Sequence, residues 1–480
     1  MRVNVIGKPG NFDGLTARVF DSVEAPVGPE ALEQLLGGVR GADLAAPPVV
    51  LPDFHHKATM EMPSSIAVAT LGTIRPTFTS SSVNCGMALI ALDADEPSPE
   101  GIEAFFRGVR ERYPYPPTRR AELARSEVED AATRGADFAV DRYGLDPGEL
   151  ERVEERGCLD VHRFGGAAAI RRTIPWLSAQ LSRLRFGTIG PSNHFVELQR
   201  VEEVLQPVAA RRLGVEEGQL TLQYHGGGGV LASQMGRIFQ RRKKMSRQQA
   251  AQMRVLKPWF HLAHARSLAE LRRRLDLFFT AGAPPVEIDG PEGHRMMLAN
   301  AAAMNYGFAF RLATYANLRA IASATLGVRG SRLVVDSPHN SIYEELVNGA
   351  PALVHRHNAS RAYPASMMEP ATTFAATGQA VLVPGTDRTS SYLCVAGERA
   401  ERSLYSACHG AGTMVADFEL RGLSKAHPSG RRTLEFGYGG GAPVEKPQLD
   451  DRGVDEALAI LTANELATPV ARMRPLGVLH

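Results

Sequence analysis

The sequence has little cysteine and no long apolar run, and these two absences exclude whole classes of protein. Its 480 residues contain four cysteines: Cys85, Cys158, Cys394 and Cys408. They are widely spaced and no secretory pattern accompanies them, so a disulfide framework is not expected. No stretch approaches the roughly 18 uninterrupted apolar residues of a membrane span, and the start lacks the apolar core of a signal peptide. We therefore expect a cytoplasmic protein without a membrane partner.

Excess charge of one sign is also missing. The chain has 54 basic and 52 acidic residues and a formal net charge of +2, so any nucleic-acid binding must come from a local patch. The segment GRIFQRRKKMSR, which contains Arg237 and Arg247, has six basic residues and no acid. Such a run can neutralise phosphates, but it is equally typical of a solvated loop or helix face.

The remaining composition and patterning predict one large α+β unit. Hydrophobic residues make up 44% and charged residues 22% of the chain, which is ordinary for globular proteins. Apolar periodicity predicts a long, largely buried helix within 290–330. Strand-like runs such as RLVVD, ALVHRH, AVLVPG and SYLCVAG follow without a βαβ repeat. We treat 1–480 as a single catalytic domain, with the charged helical patterns of 101–160 as an insertion that faces water.

Four histidines and one cysteine stand in short polar or glycine-rich segments spread over most of the chain. They are Cys85 in VNCGM, His194 in SNHFVEL, His225 in YHGGGG, His339 in DSPHN and His409 in CHGAG. Neutral imidazole and thiolate bind borderline metals such as Mn, Zn, Fe or Co. A lone histidine is more often surface or core than ligand, and no compact ligand spacing is present. A metal site and a set of unrelated histidines therefore both remain open on these residues alone.

Taken together, these motifs resemble the RtcB family of RNA ligases. The matching segments, in the family's order from about residue 50 to the end, are LPDFHH, VNCGM, FGTIGPSNHFVEL, YHGGGG, NYGFAFR, VVDSPHNSIYEE, VHRHNASRAYPA, GQAVLVPG, SYLCVAG, SACHGAG and VARMRPLGV. Any one of them is weak, but their joint occurrence is specific. The resemblance implies the family's catalytic domain over most of the chain.

The resemblance also implies roles for individual residues. Cys85, His194, His225 and His339 correspond to metal ligands, and His409 corresponds to the nucleophile that is guanylylated. The residues that resemble the family's guanylate-binding surroundings are Asn193, Glu197, Asn340, Ser391 and Ser406, together with the backbone of Ala411 and Gly412.

The family's reaction gives the expected activity, cofactors and partners. With GTP and Mn²⁺, the family passes guanylate from a histidine to an RNA 3′-phosphate, and a 5′-hydroxyl on a second RNA end then displaces GMP. Cyclic phosphate ends are first opened to the 3′-phosphate. The resemblance implies RNA with such ends as the partner, and a protein activator is a further possible partner.

The sequence departs from the family pattern at charged positions. Ser82 stands where the family has an acidic ligand before the motif cysteine, which predicts that one of the two metal positions is weaker or absent. Gly229, His357 and Thr413 stand where the family has an arginine, a lysine and an arginine. The loss of several phosphate-binding cations predicts replacements elsewhere. The candidates are Arg388, Arg356, Arg361 and the basic run from 237 to 247.

Three functions stay open at this stage. The first is a divergent RNA ligase that keeps His409 guanylylation. The second is a metal-dependent enzyme of altered chemistry, such as RNA end processing or nucleotide transfer to another acceptor. The third is a non-catalytic RNA-binding relative whose histidines hold a structural metal.

Overall fold

The computed structural model describes residues 15–115, 121–191, 194–240, 245–279, 285–370 and 372–480. Asn193 and residues 241–244 of the basic run lie outside these ranges. Helices and strands are mixed along the whole described chain, which confirms the α+β prediction. The described part contains no helix whose length and hydropathy would let it span a lipid bilayer.

Thirteen α-helices occur in the described ranges. They are α1 (Pro29–Val39), α2 (Pro99–Arg112), α3 (Arg125–Arg134), α4 (Ala136–Tyr143), α5 (Gly166–Thr173), α6 (Trp176–Ser182), α7 (Pro207–Leu213), α8 (Gly229–Phe239), α9 (Arg247–Leu262), α10 (Leu268–Phe279), α11 (Pro291–Thr325), α12 (Gly412–Leu420) and α13 (Arg452–Ala463).

Eighteen strands occur in the same ranges. They are β1 (Arg18–Val19), β2 (Val49–His55), β3 (Ser64–Thr70), β4 (Thr73–Ile74), β5 (Gly86–Asp93), β6 (Phe195–Val204), β7 (Leu220–Gly226), β8 (Val286–Glu287), β9 (Gly330–Pro338), β10 (Asn340–Val347), β11 (Ala350–His357), β12 (Ala359–Arg361), β13 (Ala380–Val383), β14 (Ser391–Ala396), β15 (Ser406–Cys408), β16 (Arg432–Phe436), β17 (Val444–Pro447) and β18 (Ala467–Leu479).

Two sheets carry most of these strands. The larger has nine strands in the order β13-β14-β18-β6-β7-β5-β9, with β16 paired to β18 and β17 paired to β16. The smaller has the order β1-β2-β3-β11-β10, and two further sheets are the pairs β12-β15 and β4-β8. Strand β5 alternates between two apolar clusters: Ala88, Ile90 and Leu92 join one, and Met87, Leu89 and Ala91 join the other. Side chains at successive strand positions point to opposite faces, so the larger sheet is buried on both faces at β5.

Helix α11 is the central helix of the layer beside the larger sheet. Its 35 residues correspond to a length of about 50 Å at 1.5 Å per residue. From Met296 to Tyr315 nearly every position is buried, whichever way it points. The helix predicted within 290–330 is therefore confirmed, and it is apolar all round rather than amphipathic, as is typical of a helix surrounded by other elements.

The described residues of 101–160 contain the helices α2, α3 and α4, as expected, but these helices do not stand free in water. Phe105, Phe106 and Val109 of α2 and Ala131 of α3 have no exposed surface, and α2, α3 and α4 all pack against α11. The charged residues of these helices lie on the opposite face, in pairs such as Arg125 with Glu129. The prediction of a segment that faces water relied on its charged residues, which lie on one face of the helices. The apolar face of the same helices forms part of the core.

Candidate metal centre and adjoining nucleophile

Four of the predicted ligands meet because of the order and direction of four neighbouring strands. Cys85 directly precedes β5 and His194 directly precedes β6, whereas His225 lies near the end of β7 and His339 directly follows β9. The strands lie in the order β6-β7-β5-β9 and every neighbouring pair is antiparallel. In an antiparallel pair the start of one strand lies beside the end of the other. All four side chains therefore lie at the same edge of the sheet.

The distances at this edge are short enough for a shared ligand. Cys85, His225 and His339 are buried, and each offers a ligand atom within 4.8 Å of the other two. The Cys85 sulfur lies 3.2 Å from Nε2 of His225 and 3.6 Å from Nε2 of His194. His194 adjoins this group of three without belonging to the mutually close set. We refer to Cys85, His225 and His339 as the thiol–imidazole cluster.

A glycine lets the backbone pass close to the cluster. A side-chain carbon at Gly227, immediately after β7, would lie 3.3 Å from Cε1 of His194 and 3.8 Å from the Cys85 sulfur. The contact with His194 would be tight, whereas the contact with the sulfur would be an ordinary van der Waals contact. The run of glycines after His225 thus keeps the space beside the cluster clear of side chains at this position.

Burial sets the protonation of the cluster when no cation is present. It raises the pKa of the Cys85 thiol to about 12, against a smaller opposing effect from the Arg311 charge. It also holds the pKa of His339 well below its usual range, with His409 and His225 adding to the effect. The pKa of His194 falls to about 4 because of burial and the nearby Arg185 charge. His194 and His339 are therefore neutral near pH 7, which is the form in which imidazole binds metals.

The turn that carries Cys85 is fixed from α11. The Arg311 side chain is fully buried, and its Nη1 donates to the Asn84 carbonyl at 2.5 Å and to the Asn84 side-chain oxygen at 2.7 Å. Its Nε and Nη2 donate to both carboxylate oxygens of Asp336 in β9 at 2.5–3.1 Å. Asn84 has a φ of 55°, a left-handed conformation that asparagine tolerates better than most residues. Arg311 thereby ties the Cys85 turn to the strand that leads to His339.

His409 is placed beside the cluster by the small sheet. It follows β15, in which Cys408 pairs with Ala359 of β12, and the Ala359 amide donates to the His339 carbonyl at 3.0 Å. The rings of His409 and His339 are stacked, with centroids 4.1 Å apart and planes inclined by 23°. The ring of His225 lies 6.0 Å away.

The imidazole of His409 is partly exposed, and its state suits a nucleophile. Its Nδ1 has no hydrogen-bond partner among the described residues. Burial lowers the pKa of His409 to about 4, so the ring is neutral near pH 7 and one ring nitrogen keeps its lone pair.

The polar side chains of the other predicted site residues that the structure describes already form hydrogen bonds with protein groups. Glu197 is buried in β6, where burial raises its pKa to about 8 and Gln199 donates to it at 2.5 Å. The side-chain oxygen of Asn340 accepts from the Asn358 amide at 3.0 Å. Ser391 begins β14, and its hydroxyl accepts from the Gly385 amide at 3.4 Å.

Two of the remaining positions are engaged with protein groups. The Ser406 hydroxyl accepts from Arg356 at 2.8 Å and donates to the Leu404 carbonyl at 2.9 Å. The Ala411 amide donates to the Pro384 carbonyl at 3.0 Å. Gly412 begins α12, and the first amides of a helix have no partner within it. Asn193 lies outside the described residues.

Three of the arginines that were predicted to replace the missing phosphate-binding cations are already engaged, so the prediction is wrong for them. Arg356 is fully buried and forms a two-pronged ion pair with Glu345 at 2.5 and 2.8 Å. Arg361 is nearly buried and pairs with Glu155 at 2.5 Å. Arg388 pairs with Glu419 at 2.7 Å and donates to the Pro447 carbonyl. Spacing along the chain identified these arginines but could not show that each already has a carboxylate partner.

Two residues of the LPDFHHK segment act near α12 and His409, and the sequence assigned no role to either of them. Asp53, with a φ of 63°, accepts from the Met414 amide in the first turn of α12 at 2.8 Å. Burial raises the pKa of Asp53 to about 7. Lys57, in the turn after β2, acts electrostatically on His409 and on His357. Both residues belong to the LPDFHHK segment, which the sequence marked only as one of the matching motifs.

Comparison with known proteins identifies the family to which this site belongs. A family model described as tRNA-splicing ligase RtcB matches residues 42–480. The chain belongs to the RtcB family. The resemblance read from the motifs is thereby confirmed, and the match covers the strands and turns that carry all five residues of the site.

Named relatives agree with this assignment. An RNA-splicing ligase RtcB of Mycobacterium tuberculosis is 31% identical over 372 residues, which are 74% of this chain and 76% of the relative. A tRNA-splicing ligase RtcB of Thermococcus kodakarensis is 27% identical over 452 residues, 90% of this chain and 86% of the relative. Another, from Aeropyrum pernix, is 25% identical over 457 residues, 90% and 87% of the two chains. Identities of 25–31% over most of both chains describe a divergent member of the family.

One departure from the RtcB family pattern has a structural reason. Gly229 stands where the family has an arginine, and it begins α8 with a φ of 62°. A side-chain carbon there would lie 2.8 Å from the Phe310 ring. An arginine at this position would require both a left-handed backbone and displacement of a core aromatic ring, so the local structure favours glycine here.

Proposed function

We propose that this RtcB family member is a divergent GTP- and Mn²⁺-dependent RNA ligase that joins RNA 3′-phosphate or 2′,3′-cyclic phosphate ends to 5′-hydroxyl ends through a guanylylated His409. One observation carries the proposal. A partly exposed, neutral imidazole is stacked at 4.1 Å on a member of the buried thiol–imidazole cluster. A nucleophile and a cation-binding group are thus within reach of one phosphate.

The first step is nucleophilic substitution at phosphorus. A ring nitrogen of His409 attacks the α-phosphorus of GTP, an N–P bond forms, and the bond from phosphorus to the β-phosphate oxygen breaks with release of pyrophosphate. Because the ring is neutral near pH 7, no proton has to be removed before attack. The stacked His339 limits rotation of the His409 ring and so helps to hold the attacking nitrogen in one direction.

The donor set fits a divalent metal. The Nδ1 atom of His339 is buried without a hydrogen-bond partner among the described residues, and orphaned buried nitrogens of this kind are costly unless something binds them. Cys85, His225 and His339 would hold the metal, with His194 adjoining. When bound, the metal supplies positive charge that offsets the charge on the phosphate oxygens and keeps Cys85 as thiolate.

The next two steps transfer the guanylate and seal the RNA. An oxygen of the RNA 3′-phosphate attacks the same α-phosphorus, which breaks the N–P bond and frees His409. The 5′-hydroxyl of the second end then attacks the activated 3′-phosphorus and displaces GMP. Glu197, Asn340, Ser391, Ser406, Ala411, Gly412 and Asn193 are the proposed guanylate surroundings. Of the two backbone positions, Gly412 offers its amide, since that of Ala411 already donates to Pro384.

The direct test supplies the purified protein with α-labelled GTP and Mn²⁺, followed by RNA. We expect covalently labelled protein whose label is released by acid, as is usual for a phosphorus–nitrogen bond. We then expect joined product from an RNA with a 3′-phosphate or cyclic phosphate and a partner with a 5′-hydroxyl. A 3′-hydroxyl RNA should give no product, since it has no phosphate to activate.

Two outcomes of that test favour the alternatives. Labelled protein without joined product on any such RNA would indicate a nucleotidyl-transfer or end-processing enzyme. Absence of label together with retained RNA binding would indicate a binding protein with a structural metal. Either result contradicts the ligase proposal.

Ser82 gives a separate prediction about the number of metals. It lies in the Cys85 turn, where its carbonyl accepts from the Cys85 amide at 3.0 Å, and it brings no negative charge to the site. We expect one tightly held Mn²⁺ per chain, and at least about tenfold tighter binding of a second in Ser82→Asp, because a carboxylate is a stronger ligand for Mn²⁺ than a hydroxyl. Metal analysis after dialysis and calorimetric titration measure this.

The matched control is Ser82→Asn, which has nearly the same size as the aspartate variant without the charge. It should retain the single metal of the natural sequence. Two fully occupied metals per chain in the unmodified protein at modest Mn²⁺ would show that Ser82 does not weaken the second position.

A further inference from the structure

Two strands of the smaller sheet end in histidines close to the part of the chain that carries His409. Strands β2 and β11 both pair with β3, and their ends carry His55 and His357: His55 lies opposite Ser64, and His357 lies opposite Ile66. Nδ1 of His55 lies 3.2 Å from the Thr413 hydroxyl at the start of α12. The chain after His357 continues into β12, which pairs with the strand leading to His409. Strand ends therefore bring His55 and His357 to the same place as the nucleophile.

Lys57 supplies the positive charge at this place. It lies two residues beyond the end of β2, and its charge acts on His55, His357 and His409. Those three imidazoles are neutral near pH 7 because burial lowers the pKa of each. Lys57 is thus a cation in the turn after β2 whose charge acts on three neutral imidazoles.

The Lys57 charge has no close counter-ion. Among the described residues no carboxylate forms an ion pair with its ammonium group, although Asp53 acts on it from a greater distance. Asp53 is itself engaged, since its Oδ1 accepts from the Met414 amide. Burial lowers the pKa of Lys57 as well. A partly buried cation without a partner is stabilised when an anion binds beside it.

His357 offers a second unsatisfied group. It is 1% exposed, and its Nδ1 has no hydrogen-bond partner within the described ranges. This is also the position at which the family motif carries a lysine. Lys57 follows the end of β2, and β2 pairs with the same strand, β3, as the end of β11 that carries His357; the Lys57 charge lowers the pKa of His357.

We propose that Lys57, with His357 as a neutral hydrogen-bonding partner, forms a phosphate-binding subsite beside His409 that takes a terminal phosphate dianion. This assignment rests on the proposed function, and it deepens that function by naming the cation that replaces the missing lysine. The phosphate has two possible sources, the 3′-phosphate of an RNA end and the phosphates of GTP. Arg356, Arg361 and Arg388 are not available for this task, because each is paired with a glutamate.

The fold around Lys57 allows its side chain to be changed. Its backbone amide donates to Gln34 Oε1 at 3.0 Å, and its carbonyl accepts from Gln34 Nε2 at 3.0 Å. These bonds hold the turn whatever the side chain is. Lys57→Met and Lys57→Gln therefore remove the charge and leave the turn in place. Two different uncharged side chains are used so that an effect of one particular replacement can be recognised.

The experiment has an RNA arm and a nucleotide arm. In the first, fluorescence anisotropy without GTP compares a short RNA ending in a 3′-phosphate with the same RNA ending in a 3′-hydroxyl. In the second, GTP affinity and the yield of labelled protein are measured. We expect the natural sequence to prefer the 3′-phosphate by about tenfold, as one charge-assisted contact provides, and both Lys57 variants to lose that preference.

Matched variants separate this role from a general loss of charge. Arg329→Met removes an exposed cation near the far end of β5 from Cys85, where it pairs with Asp93 and Asp95, and it should leave both arms unchanged. The double variant Lys57→Met/His357→Lys returns the charge to the neighbouring strand end. It should restore at least half of the lost preference.

The outcomes distinguish this proposal from the ligase proposal. Loss in the RNA arm assigns the subsite to the RNA end, and loss in the nucleotide arm assigns it to GTP; both support the subsite. The subsite proposal is overturned if Lys57→Met and Lys57→Gln both keep affinities within twofold of the natural sequence in both arms. A natural sequence that never becomes labelled contradicts guanylylation, yet its 3′-phosphate preference and the effect of Lys57→Met are still measured in the binding arm.

Discussion

Replacing His409 with alanine is expected to abolish labelling by α-labelled GTP and to reduce RNA joining by a factor of about a thousand or more. Removal of a covalent nucleophile commonly has effects of at least this size. His339, which is stacked on His409, is buried and belongs to the thiol–imidazole cluster, so we do not expect it to take over as the nucleophile. Labelled protein is measured after denaturing electrophoresis, and joined RNA on a sequencing gel.

The metal content of the histidine variants distinguishes a residue that acts as nucleophile from one that binds the metal. His409→Ala should keep its bound Mn²⁺, since Cys85, His225 and His339 remain, whereas His339→Ala should lose both metal and labelling. His264→Ala, which changes an exposed histidine between α9 and α10, is the matched control and should retain full activity. Undiminished labelling of His409→Ala would mean that another residue carries the guanylate.

Arg311→Met is expected to lower the free energy of unfolding by about 3–5 kcal/mol. The change removes the partner of Asp336, which is 1% exposed, and an unpaired carboxylate at such a site is strongly destabilising. It also removes the two hydrogen bonds from Arg311 to Asn84, so the Cys85 turn loses part of its support. We expect weaker Mn²⁺ binding in addition to the loss of stability. Urea-induced unfolding and calorimetric metal titration measure the two effects.

A double variant shows whether the unpaired charge is the cause. Arg311→Met/Asp336→Leu removes both charges and should recover part of the stability lost in Arg311→Met, because nonpolar residues can replace a buried ion pair. It should not recover the metal affinity, since the Asn84 turn remains unsupported. Equal stability of the single and double variants would show that the turn, rather than the carboxylate, determines the loss.

The fold was predictable where residue pattern alone decides structure. The apolar residues of 290–330 were expected to form a buried helix, and α11 is that helix. The runs before His339 and around Val354 and Val381 were expected to be strands, and β9, β11 and β13 contain them. The water-facing prediction for 101–160 failed because apolar residues such as Phe105 and Phe106 are fewer than the charged ones around them, although they determine where the helix packs.

The residues of the candidate site could be predicted from the sequence, but the cations that would bind phosphate beside it could not. Motif order identified Cys85, His225, His339 and His409. The antiparallel strand order brings the first three together, and the small sheet of β12 and β15 places His409 beside His339. The choice of replacement cations failed for a different reason. Whether an arginine is available depends on which carboxylates surround it, and Glu345, the partner of Arg356, lies on an antiparallel neighbouring strand.

The sequence by itself determined the family, the types of side chain that do chemistry, and the positions where charge has been lost. These are properties of single residues and short motifs, and they do not depend on contacts. Only the tertiary structure decided which cations remain free, because an ion pair forms between residues that are distant in the chain and adjacent in space. Lys57 is without a close partner for that reason, and Arg356 is not.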